Sequence, residues 1–72
     1  MTTSKTATAL VRRLNAKTPG VTLWRTRMVD GHRHIEQKQY TPNDGGRWFW
    51  SFQGWADDPR DIAHLAEEHG VS

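Results

Sequence analysis

Apolar positions along the 72-residue chain fall into two helical stripes separated by three alternating runs. Ala7, Leu10, Val11 and Leu14 recur at i, i+3, i+4 and i+7, the period of one helix face, and predict a helix over residues 4–16. Thr3 or Ser4 is placed to cap it, and Thr18-Pro19-Gly20 ends it, because the residue before proline avoids the α region. Strands are predicted over 21–29, 32–40 and 47–55. The first two are separated by Asp30-Gly31, the signal of a type I′ hairpin. The second and third are joined by Thr41-Pro42-Asn43-Asp44-Gly45-Gly46, dense in turn formers. A final helix over 58–69 opens on Asp58 as N-cap and Pro59 at the first helical position, with Asp61 near the positive end of the dipole. Ile62, Leu65, Ala66 and His69 form its inner stripe, and Gly70 suits its stop. The expected fold is α+β: one small domain of order α-β-β-β-α, with a three-stranded antiparallel sheet and two helices on one face.

Strand parity assigns the faces. In the first strand Thr22, Trp24, Thr26 and Met28 are uncharged while Arg25 and Arg27 alternate with them, so the even side is expected inside. A two-residue turn then sets Trp24 opposite Gln37, Arg25 opposite Glu36 and Thr26 opposite Ile35. A six-residue loop closed by Tyr40 and Arg47 would set Ile35 opposite Phe52 and Gln37 opposite Trp50, burying Trp48, Trp50 and Phe52. The expected core is Ala7, Leu10, Val11, Leu14, Trp24, Met28, Ile35, Trp48, Trp50, Phe52, Ile62, Leu65 and Ala66, with Trp55 over an edge.

Composition sharpens this picture. Leu, Ile, Val and Phe total only 12 of 72 residues, so the four Trp are expected to supply the missing apolar bulk. Cysteine is absent, which excludes disulfides and Cys-based zinc sites. No stretch approaches the ~18–20 apolar residues of a membrane span, and Met1–Thr8 lacks the pattern of a secretory signal, so a soluble cytoplasmic protein is expected. Arg outnumbers Lys seven to three, a bias of GC-rich bacterial or phage genomes. The net charge of +2 hides a gradient: residues 1–29 carry +6, and residues 57–72 carry −4. Either the basic half meets a polyanion, or the basic first helix packs beside the acidic last one.

The opposite sheet face is expected to lie open. It would present Leu23, Arg25 and Arg27, then His32, His34, Glu36, Lys38 and Tyr40, then Arg47, Phe49, Ser51 and Gln53. Guanidinium groups reach phosphate and guanine edges, and aromatic rings stack on bases. The expected function is therefore non-enzymatic binding of DNA or RNA, with Arg25, Arg27, Lys38 and Arg47 as phosphate or base contacts and Tyr40 and Phe49 as stacking residues. A protein-interaction module is the alternative, such as a small phage or mobile-element product acting on a host protein, with Phe49 and Leu23 as anchors. A solvated face over which Arg and Lys snorkel is the bland reading of the same residues.

The α-β-β-β-α order resembles the double-stranded RNA-binding domain, but that family's basic cluster at its last helix is replaced here by Asp57, Asp58 and Asp61. Residues 21–70 look like the three-stranded sheet domains of AP2 type and the arm-binding domains of phage integrases. Those families lay an Arg- and aromatic-rich sheet face into the major groove. Arg25, Arg27 and Arg47 occupy suitable positions, though neither motif is complete.

Other constellations are weaker. His32, His34 and Glu36 share one side of a strand, but same-side Cα atoms lie about 6.5–7 Å apart and converge poorly on one ion. A triad of Ser51, His34 and Glu36 would have no oxyanion hole and no dry cavity. No metal, cofactor or catalysis is expected.

Overall fold

The computed structural model describes residues 6–71. Helix α1 spans Ala7–Ala16 and is capped by Thr6, whose backbone is extended and whose Oγ1 accepts from the Ala9 N–H at 3.1 Å. The expected start at residue 4 and the candidate caps Thr3 and Ser4 lie outside the described residues. Strands β1 (Trp24–Val29), β2 (His32–Thr41) and β3 (Arg47–Trp55) form one antiparallel sheet in the order β1-β2-β3. Helix α2 spans Pro59–Glu68.

Local signals are met where they are strongest. Asp30 and Gly31 both hold positive φ, as a type I′ turn demands, and the expected pairs Trp24–Gln37, Arg25–Glu36 and Thr26–Ile35 form. Asp58 caps α2 by accepting from the Arg60 N–H at 2.9 Å, and that bond, then the Arg60 side chain, holds its carboxyl below the usual range. Gly70, at positive φ, closes the helix: Gly70 N–H donates to the Glu67 carbonyl and Val71 N–H to that of Ala66.

Both helices pack on the sheet face that carries Trp24 and Ile35, α1 against β1 and α2 against β3. Leu10, Leu14, Trp24, Ile35, Ile62 and Leu65 are the large members of this core, with Ala7, Ala56, Ala66 and Val71 between them and Val11 and Leu23 at its margin. Leu23 thus packs against the core rather than standing on the open face. Met28, expected inside, is 62% exposed near the hairpin turn. Among the described residues no helix is long and apolar enough to cross a membrane.

Asn15, near the end of α1, ties the helix to the start of β1. Its Oδ1 accepts from the Leu23 and Trp24 N–H groups at 3.0 and 2.9 Å, and its Nδ2 donates to the Trp24 carbonyl at 3.0 Å. The Trp24 groups lie on the outer edge of β1 with no neighbouring strand, so the side chain there replaces a missing ladder. Asn15→Ala is expected to destabilise the fold by about 1–3 kcal/mol in denaturant titrations, because two partly buried N–H groups lose their acceptor. A change within a few tenths of a kcal/mol would show that water satisfies them.

Candidate nucleic-acid interface

The face away from the helices is built by two hairpins with different tolerances. The two-residue turn of β1–β2 admits one register, which aligns Arg25 and Arg27 with Glu36 and His34 on one side of the sheet. The longer connection closes one residue later than parity had suggested. Thr41 continues β2 and pairs with Arg47, so Tyr40 faces Trp48, Lys38 faces Trp50 and Glu36 faces Phe52. Thr41 precedes Pro42, which disfavours helical backbone there and keeps it extended. A short 3-10 turn over Asn43–Gly45 follows, with Asp44, Gly45 and Gly46 at positive φ. A side chain at Gly46 would strike the Tyr40 hydroxyl, so this glycine also seats the Tyr40 ring.

That single step inverts β3. Trp48, Trp50 and Phe52, expected in the core, stand on the open face. Arg47, Phe49 and Ser51 move to the helix side, so two expected contact residues, Arg47 and Phe49, are not part of this surface. Gln53, also expected on the open face, donates to Ser51 Oγ at 3.3 Å. Phe49 is 38% exposed because it pairs with Gln39, beyond the end of β1, where the sheet is only two strands wide. Farther along, the register shifts between Ile35 and Glu36, with Gln53 as the extra residue of a β-bulge. The bulge restores Trp55 to the open face opposite His34 and turns Gly54 toward α2. There a Cβ on Gly54 would lie 3.1 Å from that of Asp61, whose Oδ2 accepts from the Trp55 N–H at 2.8 Å.

The result is an aromatic strip along β3 with cations on its inner flank. Trp48, Tyr40, Phe52 and Trp55 are 59%, 54%, 46% and 45% exposed. They form two edge-to-face corners, Tyr40 with Trp48 at 5.2 Å between centroids and Phe52 with Trp55 at 5.0 Å. His34 packs edge-on against both rings of the second corner, and His32 against Trp55. Between the corners Trp50 is half-buried, with the Arg25 guanidinium 4.1 Å from its ring centre. Arg25 Nε also donates to Glu36 Oε1 at 2.8 Å, and His34 Nδ1 lies 3.5 Å from Glu36 Oε2. Glu36 is the one buried charged residue among those described, at 5% exposure. A buried carboxylate is costly unless paired, so Arg25 is held in place on Trp50 by the charge beside it.

Arg25, Arg27, Lys38 and Tyr40 therefore share the open face as expected, spread along its length. Trp48, Trp50, Phe52 and Trp55 join them. The proline-restricted conformation of Thr41 was the available signal for their placement. Lys38 Nζ stands 5.7 Å from the Trp48 ring centre. Ser51 lies across the sheet from His34 and Glu36, so those three side chains do not meet. Among the described residues no three His, Asp or Glu side chains are placed to share a metal ion. With Arg47 on the helix side, the likeness to major-groove sheet readers loses one of its three arginines. No protein-family model, curated protein or solved structure matches the chain.

The two placements of β3 differ measurably in stability. Trp48→Ala and Phe52→Ala are expected to cost well under the ~3–5 kcal/mol of a buried aromatic, whereas Ile35→Ala costs about 2–5 kcal/mol. Chemical denaturation of the three variants checks this, and a full core penalty at Trp48 would refute the register. Arg25→Ala, which strands the Glu36 carboxylate, is expected to cost roughly 1–3 kcal/mol and more than Glu36→Gln. Equal losses in the two variants would show that the carboxylate does not depend on its partner.

Proposed function

We propose that the protein binds nucleic acid, DNA or RNA, through the open face of its sheet. One observation carries the reading: a strip of aromatic rings, exposed at both ends, runs beside Arg25, Arg27 and Lys38 on a surface that no other element among the described residues covers. Exposed rings of this number are unusual on a polar open sheet, where snorkelling Lys and Arg alone account for solvation. Rings supply stacking and the cations supply phosphate contacts, the two requirements of a sheet that holds a polynucleotide. The Cys-free, Arg-rich composition supports a cytoplasmic protein of bacterial or phage origin.

A protein partner is the second reading, and one feature favours it. The strip lies on β3, an edge strand of the sheet, where an added strand would find both backbone groups and apolar side chains.

Titration at low salt, followed by residue-level chemical shifts, separates the two. Amides of Arg25, Arg27, Lys38, Tyr40, Trp48 and Phe52 are expected to move on adding nucleic acid, while those of the helix-facing Ile35 and Ser51 move least. With three cations on the face, the slope of log K against log salt is expected to be no steeper than about −3. Unmoved amides at low salt would refute nucleic-acid binding and leave the protein-partner reading in its place.

A further inference from the structure

Resting on that reading, we infer that the ligand is a single strand, bound along β3 with its bases unstacked into the two aromatic corners. A duplex buries the faces of its bases and offers only edges and phosphates, so exposed rings gain little from it. Readers of duplex edges need several polar side chains projecting from the sheet. Here the outward positions of β3 are Trp48, Trp50, Phe52 and Trp55, without a hydrogen-bonding group other than the indole N–H. Charge gives the same answer. Arg25 is engaged by Glu36, which leaves Arg27 and Lys38 as the unneutralised cations of the face, few for a duplex and adequate where stacking carries the affinity.

The geometry of the strip specifies how the strand lies. Trp48 and Phe52 are four residues apart on one strand, about 13 Å. Bases in a helical stack rise ~3.4 Å per nucleotide and keep their faces covered, so neighbours cannot open into both corners while stacked. A splayed strand spans the gap. One base sits against the Tyr40–Trp48 corner beside Lys38, another against the Phe52–Trp55 corner beside His34. The intervening backbone crosses Arg25, whose guanidinium already occupies the face of Trp50 and whose bond to Glu36 is made through Nε. Its terminal nitrogens are then directed to phosphate rather than to a base. The Tyr40–Trp48 corner has a ring as floor and a ring as wall. At the second corner His34 already packs against both rings, so a base stacks on the exposed surface of Phe52 and Trp55. Such rings accept any base and select for unpaired strand rather than for sequence.

The test is a fluorescence and chemical-shift titration with an oligothymidylate of about eight nucleotides, its RNA counterpart, and a G·C-rich hairpin whose stem stays paired at the same low salt. Both single strands are expected to bind more tightly than the duplex. Trp48→Ala and Phe52→Ala are each expected to weaken that binding roughly 5- to 150-fold, the range for loss of one base-stacking ring. Phe49→Ala, which removes a half-exposed ring from the opposite face, is expected to leave it unchanged. Preference for the duplex, or single-strand binding indifferent to Trp48 and Phe52, would overturn the inference while leaving nucleic-acid binding intact. Absence of binding to all three probes would remove the underlying reading as well.

Discussion

Side chains along a strand alternate between the two faces of a sheet, so the residue that pairs with Arg47 assigns every aromatic of β3 to one side or the other. Pairing with Thr41 puts Trp48, Trp50 and Phe52 on the side away from the helices. The β-bulge at Gln53 then reverses parity once more, keeping Trp55 with them and presenting Gly54 to the helices. A bulky residue in place of Gly54 would collide with Asp61 at the first turn of α2. The same arrangement that exposes the aromatic strip therefore lets α2 approach the sheet closely.

The helices could not have covered all these rings. Each is ten residues long, about 15 Å, whereas β2 alone runs ten residues, about 33 Å. β1 begins only at the Gln37 level, and past that point β2 and β3 continue as a two-stranded projection that carries Tyr40 and Trp48. The core is accordingly small, with Trp24 as its one tryptophan and Leu10 and Ile35 fully enclosed. Trp48, Trp50, Phe52 and Trp55 stabilise the open face instead, through contacts with Tyr40, Lys38, Arg25, His34 and His32.

Charge is distributed to match. The basic residues of 1–29 are divided between the two sides of the sheet. Lys17 donates to the His69 carbonyl at 2.6 Å, placing a cation at the negative end of α2. Farther along, in β2, Arg33 reaches Thr8 and Thr26 on the helix side. Part of the gradient is thus consumed between neighbouring elements. Arg25, Arg27 and Lys38 remain on the open face, with Arg25 oriented by the buried Glu36.

Much of this was legible in the residues themselves. The helix stripes, the Asp58 and Gly70 caps, the Asp30-Gly31 turn and the β1–β2 register all rest on interactions within a few positions, and a two-residue turn leaves one way to pair. Those signals determined the element order, the core face of the first hairpin, and Arg25, Arg27, Lys38 and Tyr40 as surface residues. They did not determine the fate of β3. The loop from Thr41 to Gly46 permits two closures that differ by one residue, and the six-residue closure on Tyr40 and Arg47, which would bury the tryptophans, is not the one that forms. Only the tertiary structure decides between them, because the choice turns on how much of the sheet two short helices can cover and on the need for glycine where α2 meets it. Arg47 and Phe49 thereby leave the open face, and the tryptophans enter it.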